Sequence, residues 1–209
     1  MLPLILPRMK SIEKLQNLLP LGYLFLVVMG ILKESIFYHF IGVNILKYSS
    51  IMDILISPIA TLTSHYILII AVTIIIVFHF YLPGILYKYH HKKWVEEAFH
   101  LNKIEGELSE KVLKNHFVNS TVIILALMLL SFFQGFGISD GFMLSNRIKN
   151  NKMKYDYRLN YNTGESEEIS MIGSNSVYYF YLSKGNPSVK IAPVNSIKSI
   201  ELTKNKMLR

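Results

Sequence analysis

The sequence predicts an α-helical multi-pass membrane domain with three transmembrane helices and one amphipathic or re-entrant helix. A small all-β C-terminal domain follows, an SH3-like barrel or a curled antiparallel sheet. Three observations lead there. Of 209 residues, 51% are hydrophobic and only 17% charged, where soluble domains carry about 25% charged residues. The apolar residues are gathered into long blocks, and mean hydropathy is +0.33. Beyond residue 140 the pattern changes to short β-type runs separated by Gly and Asn turns. The expected organisation is a membrane domain over 1–140, a basic linker over 141–152 and a β domain over 153–209.

The first span is expected over about 18–38. Between Lys14 and Lys33 the chain carries no charge for eighteen residues, barely enough to cross a bilayer. Lys33 and Glu34 then interrupt the apolar run. In one placement the helix ends near Tyr38 and Lys33 reaches the interface along its apolar stem. In the other, both charges lie inside the bundle and line a polar path, the default reading of intramembrane charges.

Thirty-four uncharged residues separate Asp53 from Lys88. As one helix they would extend about 51 Å, against a hydrocarbon core of about 30 Å. Pro58 is expected to break the run, because proline lacks the helix N–H and its ring clashes with the preceding turn. Residues 43–57 then form an amphipathic helix, with Ile45, Leu46, Ile51, Met52, Leu55 and Ile56 interleaved with Lys47, Ser50 and Asp53. Such a helix lies on the bilayer or dips into it. The second span covers about 64–86, with Pro83-Gly84 at its exit. Residues 88–116, charged throughout, predict a helical surface loop with Tyr89 and Trp94 at its membrane-proximal end; Glu96 with His100, and Glu107 with Lys111, are spaced to pair.

The third span is expected over 117–139, ended by the glycines of "GFGISDGF". Gln134, Ser131 and Gly135 near its end suit close packing or a cavity wall. The β domain should hold five strands: "KYDYRLNY", "EISMIG", "VYYFYLS", "VKIAP" and "SIKSIEL". In the third, Tyr178, Phe180 and Leu182 share one face and Val177, Tyr179 and Tyr181 the other. One face is core. The other either contacts a partner, ligand or membrane surface, or is buried between the sheet and the bilayer.

The candidate path residues are Lys33, Glu34, His65, His79 and Gln134. His65 and His79 lie fourteen residues, nearly four turns, apart and so share a helix side. The candidate partner-binding residues are Tyr178, Tyr179, Phe180 and Tyr181. No metal or other cofactor is expected. The seven histidines include His90, His91, His100 and His116 in the interspan loop, but no HExxH or comparable ligand spacing. No nucleophile elbow, P-loop or dinucleotide fingerprint occurs, so an enzyme is not expected. Net charge is +8; in so apolar a chain the lysines are expected at anionic headgroups rather than on nucleic acid. The absence of Cys excludes disulfides and thiolate metal sites.

The apolar part of "MLPLILPRMKSIEK" precedes its charges, the reverse of a signal peptide, so no cleaved leader is expected. Three spans put the termini on opposite sides. The positive charges near the N-terminus and in residues 88–114 narrowly outnumber those after the third span, which favours an N-in, C-out arrangement. The Ile-, Lys- and Asn-rich composition suggests an AT-rich bacterial genome, and with the apolar spans the expected location is a bacterial cytoplasmic membrane. The expected function is an oligomeric small channel or pore-type effector gated or assembled by its β domain; the alternative is a non-conducting accessory, immunity or anchoring protein that binds another protein through that domain.

Overall fold

The computed structural model describes residues 6–101 and 109–204. Among the described residues, five α-helices precede five strands: α1 (Leu6–His39), α2 (Ile51–Ser64), α3 (Tyr66–Lys88), α4 (Lys93–Ala98), α5 (Glu110–Lys149), β1 (Tyr157–Tyr161), β2 (Ser166–Ser174), β3 (Tyr178–Ser183), β4 (Val189–Pro193) and β5 (Ile197–Leu202). Among the described residues, three helical segments are long and apolar enough to cross a membrane: Leu19–His39 in α1, all of α3, and α5. Ile51–Ser64 is apolar but shorter, with 14 residues. The chain forms two compact units, one from Met1–Ile59 with Phe133–Arg209, the other from Ala60–Phe132.

In the first unit, close packing is made possible by glycines. Gly30 of α1 is buried against the backbone of α2, and a Cβ at Gly30 would fall on the Ile54 carbonyl. That carbonyl lies four residues before Pro58, which has no N–H to offer it. The expectation that Pro58 ends a helix is therefore corrected: Pro58 sits inside α2, fully buried, and the break falls at His65, whose backbone is extended (φ −135°, ψ 95°). The helix tolerates the missing bond because side-chain-free Gly30 lets α1 pack against the freed carbonyl. The amphipathic helix expected over 43–57 is likewise shifted. Residues 45–47 form a short 3-10 turn, and α2 starts at Ile51.

The start of α2 is fixed by a reciprocal cap. The Asp53 N–H donates to Ser50 Oγ (3.1 Å) and the Ser50 N–H donates to Asp53 Oδ2 (2.9 Å). This is the capping-box arrangement, which satisfies two backbone donors that a helix end leaves open.

On α5, Phe133, Gly137, Gly141 and Ser145 recur every four residues and are buried. A Cβ at Gly137 would lie 2.7 Å from the Lys33 carbonyl oxygen, and one at Gly141 would lie 2.9 Å from the Phe37 carbonyl oxygen. Lys33 and Phe37 are also four apart, so α1 and this part of α5 run parallel through a small-residue crossing. The glycines read as a terminator are helix-internal contacts. The third helix continues to Lys149, and the expected linker at 141–152 shrinks to the few residues after it.

The sheet is antiparallel with strand order β4-β3-β2-β1-β5. A 3-10 turn, Val194–Ser196, joins β4 to β5. The register shifts by one residue at Lys198 of β5, opposite Asn160 and Tyr161, and at Ile172 of β2, next to Gly173. One face buries Leu159, Ile169, Tyr181 and Ala192, rimmed by Tyr157, Tyr161, Met171 and Tyr179. The other face buries Phe180 with Tyr38 and Ile45 of the helical segment.

The second unit has its own core, formed by Leu86, Val95, Leu101, Leu113 and Phe117. Phe99 meets Phe117 edge-on at 5.4 Å. The surface segment is not one continuous helix. α4 has six residues, and the chain turns at His100 in the left-handed region (φ 53°). His100 therefore lies beyond the helix that was to pair it with Glu96. The Glu107–Lys111 pairing lies outside the described residues.

Candidate functional site

The only partly buried ion pair within an apolar helix, among the described residues, joins neighbours on α1. Lys33 Nζ donates to Glu34 Oε1 at 2.6 Å and to Ser57 Oγ of α2 at 3.3 Å, and the Ser57 hydroxyl itself bonds Glu34 Oε1. The side chains are only 13% and 17% exposed. The pair lies about 9 Å short of the end of α1 along the helix axis. The Lys33 ammonium is held by Glu34 and Ser57. The Lys33 backbone also meets Gly137, so α2 and α5 both close on this part of α1. The cluster is neutralised within one chain.

Of the other candidates, Gln134 belongs to the same unit, and the two histidines belong to the second unit. His65 precedes α3, is exposed, and contacts the Thr61 carbonyl at 3.4 Å through Nδ1. His79 is buried (5% exposed), with Nδ1 on the Ile75 carbonyl at 2.8 Å and Nε2 without a partner among the described residues. Fourteen residues separate them, but only His79 is inside the helix. Gln134 is half-buried beside Phe133 on α5. In the surface segment, His90, His100 and His116 each contact a backbone carbonyl, of Tyr87, Glu97 and Phe99 respectively.

Strand β3 is occupied on both faces. Phe180 is fully buried and packs against Tyr38 (5.0 Å) and Tyr48 (6.2 Å), and Tyr178 meets Tyr48 edge-on at 5.5 Å. Tyr181 belongs to the opposite core, with Tyr179 packed against it. The Tyr181 and Tyr161 hydroxyls are 2.6 Å apart, and Tyr161 also bonds Glu167, which pairs with Lys190 at 2.9 Å. Burial and these bonds raise the Tyr161 phenol above its ordinary value. The four aromatic residues marked as a partner surface are therefore spent largely on intramolecular packing.

Sequence reasoning missed the polar latch that seats the sheet. Asp53 Oδ1 accepts the Ser176 N–H at 3.0 Å and Oδ2 accepts the Ser176 hydroxyl at 3.0 Å, while Asn175 Nδ2 donates to the Tyr48 carbonyl at 2.9 Å. Partial burial opposes ionisation of Asp53, but the bonds from Ser50 and Ser176 outweigh it and hold the carboxyl below its ordinary range. A lowered folded-state value means this stabilisation is present above the ordinary carboxylate pKa, near 3.8, and is lost as pH falls through the folded value. The spacing Ser50-x-x-Asp53 was the legible signal for the cap; nothing in the sequence marked Ser176 as its second partner.

Asp53→Ala should loosen this seat by about 0.5–1.5 kcal/mol, the net worth of hydrogen bonds whose exposed donors can turn to water. Hydrogen exchange of the Ser176 amide should accelerate accordingly. Unchanged protection there would show that the latch contributes nothing.

Comparison with family models, curated proteins and solved structures gives no match. The chain is read from its own chemistry.

Proposed function

We propose that this chain is an integral membrane protein of a bacterial cytoplasmic membrane that anchors a small β domain at the bilayer surface and serves a protein partner there, without itself conducting ions. The single observation that carries this reading is the seating of β3 and its preceding turn on the α1–α2 segment, through Phe180 on Tyr38 and Ser176 on Asp53. A domain of five strands has a small core of its own, and this contact holds it in one position relative to α1. Its strand order, with β1 paired to both β2 and β5 and a 3-10 turn before β5, supports a curled, SH3-like sheet. With β3 covered, a partner would meet the open edges, β4 or β5, by strand addition.

A second reading, an oligomeric channel or pore-type effector, is favoured by the Lys33–Glu34 pair. A buried pair is often no more stable than an apolar replacement, so its presence in an apolar helix invites a functional explanation. Three helices are too few to enclose a wide path in one chain, so a pore would require several copies. Purified protein reconstituted in liposomes separates the two. The anchoring reading expects a monomer in detergent and no ion flux. Flux that changes in selectivity with Glu34→Gln, or in pH dependence with His79→Phe, would replace it with the channel.

Orientation is tested in the Cys-free chain by Thr163→Cys, in an exposed strand turn, and His91→Cys, in the exposed segment after α3. An impermeant thiol reagent added to intact cells should label position 163 and spare 91. The reverse pattern places the β domain in the cytoplasm.

A further inference from the structure

A groove of about 630 Å³ opens in the first unit between the α1–α2 connection, the last turns of α5 and strand β4. Two lysines from different elements, Lys47 and Lys149, line it, together with Asn44 and Ser145. No carboxylate lines it, and neither lysine is ion-paired among the described residues. Its remaining wall is largely apolar, with Ile148 from α5 and Ile191 from β4. The volume lies within the range of small-molecule sites. Its place along the helices is informative. The apolar part of α1 ends at His39. On α5, exposed Phe142 and Met143 give way within two turns to Asn146, Arg147 and Lys149. The groove therefore sits where apolar helix surface meets a basic rim.

We propose that this groove binds one anionic phospholipid. The phosphodiester lies between Lys47 and Lys149, Asn44 and Ser145 offer it hydrogen bonds, and the acyl chains run along the exposed apolar surface of α5 that begins at Phe142. A basic pocket at the end of membrane helices is the setting in which anionic headgroups are held. A peptide or nucleic acid would use the lysines but leave the adjoining apolar helix surface unmatched. The inference rests on the membrane reading above and adds a ligand to it.

The test uses the full chain purified in mild detergent, with phosphatidylglycerol or phosphatidylcholine added and bound lipid read by native mass spectrometry. Phosphatidylglycerol should remain bound where phosphatidylcholine does not. Each lysine near an anionic group contributes about a fivefold factor, so Lys47→Gln with Lys149→Gln should weaken binding roughly thirtyfold. Lys152→Gln with Lys154→Gln removes the same charge at exposed positions outside the groove and should leave binding close to the parent. Equal retention of the two lipids, or equal loss in the two double variants, overturns the site. Glycerol 3-phosphate competing as well as the whole lipid overturns the lipid as occupant. A chain that fails to float with vesicles refutes the membrane reading itself, whereas flotation without headgroup preference refutes only the groove.

Discussion

Glu34→Leu is expected to destabilise the folded chain by about 3–5 kcal/mol, the cost of leaving one member of a buried pair without its counter-charge. The Lys33 ammonium would keep only the Ser57 hydroxyl. For a chain of this length that corresponds to a fall of roughly 6–20 °C in Tm, read by thermal unfolding in detergent. Lys33→Met with Glu34→Leu should recover most of the loss, because apolar replacement of a whole buried pair is often neutral or stabilising. The double variant also isolates function from stability: if it folds like the parent yet loses its biological effect, the charges act in the protein's role and not in its fold. A single variant as stable as the parent would show that water reaches Lys33.

The second large effect is expected at Gly30. Any Cβ there meets the Ile54 carbonyl, a backbone atom with no freedom to rotate away. Gly30→Val should therefore cost upwards of about 3 kcal/mol, at or beyond the usual range for overpacking, with most of the expressed protein lost from the folded fraction. Gly22→Val provides the control on the same helix, since nothing lies within 4 Å of a Cβ at Gly22. Matching behaviour of the two variants, by yield and by size-exclusion profile, would remove the α1–α2 contact from the fold. The pair Gly137→Val and Gly135→Val repeats the comparison on α5, where only Gly137 meets a neighbour.

The apolar helices were legible because uninterrupted apolar length is a one-dimensional property. The strands were legible because Asn and Gly turns punctuate them at short intervals: all five observed strands fall on the expected runs. What failed were residues whose meaning depends on a neighbour far along the chain. Pro58 reads as a breaker unless Gly30 is known to lie opposite. Gly137 and Gly141 read as a stop in sequence and as a contact in space. Their spacing of four, matched by Lys33 and Phe37, was the available clue. The alternating aromatic faces of β3 were read correctly, but only Tyr38 and Tyr48 reveal what covers the Phe180 face. His65 and His79 share a side only if one helix holds both, and the helix starts one residue after His65.

The parallel crossing of α1 and α5 has a consequence for biosynthesis. Lys33 meets Gly137, 104 residues later in the chain. At about 5–20 residues per second, the ribosome needs roughly 5–20 s to deliver the partner. During that interval α1 waits with an exposed glycine-facing flank, while Ser57 and the rest of α2 arrive within the first few seconds. Early pairing of Lys33 with Glu34 and Ser57 would let the nascent helix enter a bilayer already neutralised. On the proposed membrane reading, α5 then enters beside α1, and the β domain takes its seat on Asp53 only once Ser176 has been made, 123 residues after it.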